Sequence, residues 1–291
     1  MEIDHIEAWD ASYSSSKDLH RTEDGIEIYY EKRGEGPLIL ILSSAFVIST
    51  AWRNFSERLV EKNTLLTYDI RNQGASSDAD ATYADHLRDV KSLVDDLEVE
   101  QAYVLGVSFA TLMARDFAYE NPDRVKGLIM CGPALSAYES NRRKYQLKNW
   151  LEVLEAEGPK GLFDATYPLI VGDRTIARGG SAAYLALRER FLTLQSKAQL
   201  RINLTGALEA DDNPEKLRSL KCPTLLFTGD DDFNIGRAGL EDLAALIPDG
   251  QVEVMERCGH APYFEQTEEF ERIVQRFVTE IENRVPSPVA A

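Results

Sequence analysis

Short apolar runs of strand length alternate through the first half of the chain with segments whose apolar residues recur every three or four positions. Ile26-Glu27-Ile28-Tyr29-Tyr30-Glu31 alternates as a half-buried strand, and Gly34-Glu35-Gly36-Pro37 turns the chain into the continuous run Leu38 to Leu42. A helical pattern from Thr50 to about Val60, a strand from Thr64 to Tyr68 and an amphipathic helix near Tyr83 to Leu97 follow. A strand from Ala102 to Leu105, a helix reaching Glu120 and a strand from Val125 to Met130 complete this half. Buried strands alternating with helices predict an α/β chain, with a mostly parallel central sheet covered by helices on both faces. Sites in such sheets lie beyond the carboxyl ends of the strands.

Between about Ala134 and Asn213 the strand rhythm stops. Leu147, Trp150, Leu151 and Leu154 share one helix face, and Leu185, Phe191 and Leu192 belong to a second. Tyr167 to Gly172 and the pair Gly179-Gly180 read as irregular connections, and Trp150, Phe163 and Phe191 read as packing residues of this block. Strand patterns return at Thr224 to Thr228 and Gln251 to Met255. The chain thus divides into a core of residues 21–134 and 214–284, a helical insertion at 135–213, and weakly ordered ends at 1–20 and 285–291.

The 291 residues suffice for one sizeable core, and 44% apolar with 28% charged residues is the composition of a globular chain. No run approaches the roughly eighteen apolar residues of a membrane span, and Met1-Glu2-Ile3-Asp4-His5 lacks the pattern of a signal peptide, so a cytoplasmic protein is expected. Three scattered cysteines, Cys131, Cys222 and Cys258, suit neither a disulfide framework nor a zinc site. A net charge of −17 argues against nucleic acid as a partner. Nothing in the sequence fixes the oligomeric state.

One serine stands out. Ser108 closely follows an apolar strand, precedes a helix-forming stretch, and sits between the small residues Gly106 and Ala110. A serine on such a crowded strand-to-helix turn projects its hydroxyl outward, while the next backbone N–H groups face the same space and can hold an oxyanion. A serine nucleophile needs a base, and the base an orienting carboxylate. Of the four histidines, His5 and His20 lie in a polar N-terminal stretch, and His86 falls at the polar, solvated start of an amphipathic helix. His260, in Cys258-Gly259-His260-Ala261-Pro262, follows a strand in a loop that would hold an imidazole at a strand end. Between serine and histidine, the strand ending at Gly229 runs into Asp230-Asp231-Asp232, any of which could face His260 if a bulge intervened.

The order Ser, Asp, His, together with Asp69-Ile70-Arg71-Asn72-Gln73-Gly74-Ala75-Ser76 and the ending Gly259-His260 through Glu265 to Phe270, resembles the α/β-hydrolase superfamily from about Asp24 to Val278. The resemblance implies that fold and makes 135–213 a helical cap. Counting from Gly229 as in the family selects Asp232 as the acid. Phe109 and Ala45 become the oxyanion donors, because Ser43 and Ser44 occupy the positions where family members usually carry His-Gly. Ser43, Ser44 and Phe46 would line the site, where Ser44 either strains its turn or adds a hydroxyl donor. The implied activity is hydrolysis of an ester or thioester, with lactones and carbon–carbon bonds beside a ketone also open, on a medium or large hydrophobic acyl substrate, free or carrier-bound. No cofactor and no metal is implied. The fold also hosts lyases, cyclases and cofactor-free oxygenases, and binding proteins with an idle triad.

Overall fold

The computed structural model describes residues 6–14, 18–42 and 44–284. Ser43, the tail at 285–291 and residues 1–5 therefore lie outside the described residues. Eight strands among these residues form one sheet: β1 (Leu19–Arg21), β2 (Glu27–Arg33), β3 (Leu38–Leu42), β4 (Thr64–Tyr68), β5 (Ala102–Val107), β6 (Val125–Cys131), β7 (Thr224–Gly229) and β8 (Gly250–Met255). Their spatial order is β1-β2-β4-β3-β5-β6-β7-β8. β1 and β2 pair antiparallel at one edge, and every pair from β4 to β8 is parallel. The sheet is thus the mostly parallel one that the apolar runs predict.

Strand periodicity divides the core in two. Leu40, Leu42, Leu66, Val104 and Leu226 face one side, beneath the helices α1 (Tyr83–Asp96) and α2 (Ala110–Glu120). Ile39, Ile41, Leu65, Leu105 and Phe227 face the other, where they meet Trp52 and a helix running Thr267–Arg284. Both faces are dry, which is why the strands read as unbroken apolar runs rather than as alternation. Each such side chain contributes about 1.5–3 kcal/mol by burial. No helix among the described residues is long and apolar enough to cross a membrane.

Between β6 and β7 the chain inserts the long helices α3 (Arg142–Ile170), α4 (Asp173–Leu194) and α5 (Lys197–Glu209), and a short helix, Pro214–Arg218, leads back into β7; α6 (Arg237–Ala244) and α7, the helix Thr267–Arg284, follow in the core. The insertion has its own small apolar cluster of Leu147, Trp150, Leu154, Leu162, Leu200 and Leu204.

Four local expectations change. The helix expected from Thr50 to Val60 is a 3-10 segment, Ser49–Asn54, and a single α turn, Glu57–Val60, separated where the Ser56 hydroxyl donates to the Trp52 carbonyl. The irregular stretch expected from Tyr167 shrinks to Val171-Gly172, because α3 continues through Pro168. Gly179-Gly180 lies inside α4 as a kink at Gly180 (φ +57°, ψ −162°). His86 is buried rather than solvated. Its two ring nitrogens have no hydrogen-bond partner among the described residues, and burial, reinforced by the Arg71 charge, pushes its pKa down to about 4.

The N-terminal stretch has contacts that its polar composition hides. The Trp9 ring lies 5.1 Å from Phe55 and 5.3 Å from Phe264, centroid to centroid, and the Tyr13 hydroxyl donates to Asp69 Oδ2 at 2.8 Å.

Candidate active site

Ser108 sits directly after β5 with φ +53°, the left-handed region that most non-glycine residues avoid. The parallel ladder pins it there, since the Ser108 N–H donates to Cys131 O at 2.9 Å across from β6. Space dictates its neighbours: a Cβ at Gly106 would lie 2.6 Å from the Ala110 carbonyl oxygen and 2.8 Å from the Ala114 side chain. Such strain persists only where the surroundings over-determine it.

Asp232 follows β7 and His260 follows β8, so all three side chains meet beyond the carboxyl ends of parallel strands. His260 Nε2 lies 2.9 Å from Ser108 Oγ, and His260 Nδ1 lies 2.9 Å from Asp232 Oδ2. With a carboxylate at Nδ1, that nitrogen carries the proton and Nε2 accepts from the serine hydroxyl. Of the three consecutive aspartates, Asp232 is the one that reaches His260. Asp231 accepts from the Asp173 N–H at 2.7 Å, and Asp230 from the Cys258 N–H at 3.2 Å.

Asp232 is held by the Thr228 hydroxyl and by the Asn234 N–H at 2.7 Å, partners that no motif announced. Burial alone would raise its pKa; the charge of His260 and the bonds from His260, Thr228 and Asn234 bring it below the usual carboxylate value. On His260, burial opposes the charged form, but the Asp232 charge and hydrogen bond outweigh it and lift the pKa above the usual histidine value. The histidine loop is braced by Glu265, which accepts from Gly259 N–H and Gly172 N–H, each at 3.0 Å. The His260 N–H donates to Ile170 O at 2.9 Å.

Ser108 and His260 open into a cavity of about 410 Å³ between the sheet and the insertion. Its wall is mostly apolar, with Phe46, Phe163, Tyr167, Phe191, Tyr263 and Phe264 prominent. Phe163 and Phe191, expected as packing residues, line this space, whereas Trp150 stays behind it against Phe46 and Phe109, at ring distances of 5.9 and 5.8 Å. Trp9 and Tyr13 add a wall from the N-terminal stretch. The only sequence signal for them was aromatic residues in a polar segment.

Ser44 and Phe46 line the cavity. Ser44 is not among the described residues with left-handed backbone, and its Oγ accepts from the Phe46 N–H at 3.4 Å, so a strained turn is not its role. Phe109 is the residue from which α2 starts, immediately after Ser108. Among the described residues, the N–H groups of Ala45 and Phe109 have no protein acceptor.

Residues 39–273 match the model of the alpha/beta hydrolase family. The chain is 26% identical to a pimeloyl-[acyl-carrier protein] methyl ester esterase of Nitrosomonas europaea, over 84% of this chain and 96% of that one. It is 25% identical to 3-oxoadipate enol-lactonase 1 of Acinetobacter baylyi, over 84% and 90% of the two chains. In fold it is similar to a thermophilic esterase from Thermogutta terrifontis, with a TM-score of 0.81, 24% identity, and coverage of 92% of this chain and 99% of that one. The sheet order, the strand-end placement of serine, aspartate and histidine, and the match over residues 39–273 together show that the chain belongs to the alpha/beta hydrolase family.

Proposed function

We propose that the protein is a serine hydrolase that cleaves an ester or thioester of a medium or large hydrophobic acyl group. The observation that carries this reading is the unbroken hydrogen-bond chain from Asp232 through His260 to Ser108, opening on an apolar cavity of about 410 Å³. In this mechanism His260 takes the Ser108 proton as Oγ attacks the acyl carbonyl, and Asp232 holds the imidazole and stabilises the imidazolium. The carbonyl oxygen becomes an oxyanion held by the N–H groups of Phe109 and Ala45. Collapse of the tetrahedral intermediate expels the alcohol or thiol, which receives the proton from His260, and leaves an acyl-enzyme. Water then attacks with His260 as base, and the acid leaves. Every proton transfer uses His260, Ser108, substrate or water.

The cavity volume and its aromatic wall favour an acyl chain of several carbons or a ring over acetate. The helices over it act as a cap that supplies part of this wall, with Phe163, Tyr167 and Phe191 among its residues. Lactones and carbon–carbon substrates fit the same attack at a carbonyl, and the relatives that hydrolyse a lactone and a carrier-bound methyl ester span this range of leaving groups.

Intact-protein mass after treatment with an alkyl fluorophosphonate tests the reading. A single adduct is expected on the parent protein and none on Ser108→Ala, with His260→Ala labelled far more slowly. An unlabelled parent, or an adduct that survives Ser108→Ala, overturns it. A panel of p-nitrophenyl esters and acyl thioesters from two to twelve carbons then locates the acyl preference.

A further inference from the structure

Two buried glutamines, far apart in sequence, donate to successive carbonyl oxygens of the loop after β3. Gln73 Nε2 donates to Ser44 O at 3.0 Å, and Gln195 Nε2 donates to Ala45 O. The Gln73 side chain is itself oriented, because its Oε1 accepts from the Ile70 N–H at 3.4 Å. Gln195 must present its NH₂ end, since a carbonyl oxygen cannot accept from Oε1. Its own Oε1 is buried and finds no donor among the described residues, so this placement carries a desolvation cost. The side chain is therefore held against Ala45 despite its own desolvation.

A trans peptide plane points its C=O and the following N–H in opposite directions. Gripping the Ser44 carbonyl thus aims the Ala45 N–H, and gripping the Ala45 carbonyl fixes the next plane, whose Phe46 N–H meets Ser44 Oγ. The residues from Ser43 to Ile48 include no glycine, and the two amide side chains set the orientation of consecutive planes from outside the loop. Gln195 lies between α4 and α5, so its contact joins the helical insertion to the core.

We propose that Gln73 and Gln195 are positioning residues for the Ala45 N–H, and that Gln195 makes this oxyanion donor depend on the insertion being seated. The proposal rests on the serine-hydrolase reading above. A donor that is aimed in advance strengthens as negative charge grows on the substrate oxygen, so a misaimed one lowers kcat more than it raises KM.

Hydrolysis of p-nitrophenyl hexanoate and binding of a hexyl trifluoromethyl ketone, whose serine adduct carries an oxyanion, are measured for the parent, Gln195→Met and Gln73→Met. Methionine keeps the length of the side chain and removes the donor. Each variant is expected to lose about 10- to 100-fold in kcat with KM changed less than threefold, and to lose ketone affinity by a similar factor. Affinity for 1-hexanol, which forms no adduct, stays at the parent value. Parent-like kcat and ketone affinity in both variants overturn the proposal, as does an equal loss of hexanol affinity, which would mean a collapsed pocket. If a methionine variant does not fold, Gln195→Glu, which keeps the shape and cannot donate when ionised, is held to the same outcomes. A parent that neither hydrolyses the ester nor binds the ketone overturns the serine-hydrolase reading instead.

Discussion

The sheet core and the helical insertion solve the packing problem differently. In β5 and β7 every residue is buried, and each strand is locked by parallel partners on both sides. The insertion rests on a cluster of six buried side chains, with a second of three, Phe163, Tyr167 and Val171, that also faces the cavity. Its helices kink at Gly158 and Gly180, where an added Cβ would touch nothing. Ser108, Asp232 and His260, the proposed reacting groups, sit at strand ends of the over-determined region. The thinner region shapes the space around them.

The sharpest way to break this division is Asp232→Asn. It keeps the shape of a fully packed position but removes the charge that orients His260, and kcat is expected to fall on the order of 10³–10⁴-fold in ester hydrolysis while the melting temperature moves little. Next in size, Leu105→Ala empties a fully buried site in the sheet and is expected to cost about 2–5 kcal/mol in urea unfolding. A result below 1 kcal/mol would mean the core is not the rigid partner.

Two histidines separate stability from activity on the pH axis. His86 has a pKa pushed down to about 4 in the folded protein from 6.5, so the unfolded chain binds its proton first. Stability is fully present above pH 6.5 and declines as pH falls toward 4, by about 3 kcal/mol in all, and His86→Leu should flatten that part of the melting profile. His260 has its pKa raised and, in the proposed mechanism, acts as a neutral base, so kcat/KM should climb through a midpoint above 6.5. An acid limb centred below that value contradicts the pairing with Asp232.

In the insertion the effects shift to selectivity. On the proposed function, Phe191→Ala is expected to raise KM for octanoyl esters about tenfold and leave acetate esters nearly unchanged, because Phe191 lines the cavity from the insertion side. Smallest is Gly180→Ala, which meets no steric obstacle yet forces a side chain into φ +57°, ψ −162°, and should cost about 1 kcal/mol or straighten the kink.

The same contrast explains what could be read before any coordinates. Strands buried on both faces leave unbroken apolar runs, so β3, β4, β5 and β7 were visible almost to the residue. The crowded turn at Ser108 and the loop of His260 were visible because strain and close approach restrict which residues fit. Choosing Asp232 over Asp230 and Asp231 took a family count, because three identical side chains carry no local difference. Thr228, Asn234, Gln73 and Gln195 went unseen because a single hydrogen bond, to the nearby Asp232 side chain for the first two and to a remote backbone carbonyl for the glutamines, leaves no period behind it. His86 was misread since a polar residue on an amphipathic helix looks solvated until α1 is docked on the sheet.

Where α3 passes into α4, a few consecutive residues are bonded to the loops that carry Asp232 and His260. Ile170 O accepts from the His260 N–H, Gly172 N–H donates to Glu265, and Asp173 N–H donates to Asp231. For an engineer this corner is a splice junction. Grafting the insertion of another family member onto this sheet would reshape the cavity wall, but the graft must keep the backbone from Ile170 to Asp173 in register, or the loops beneath would lose the bonds that hold them in place.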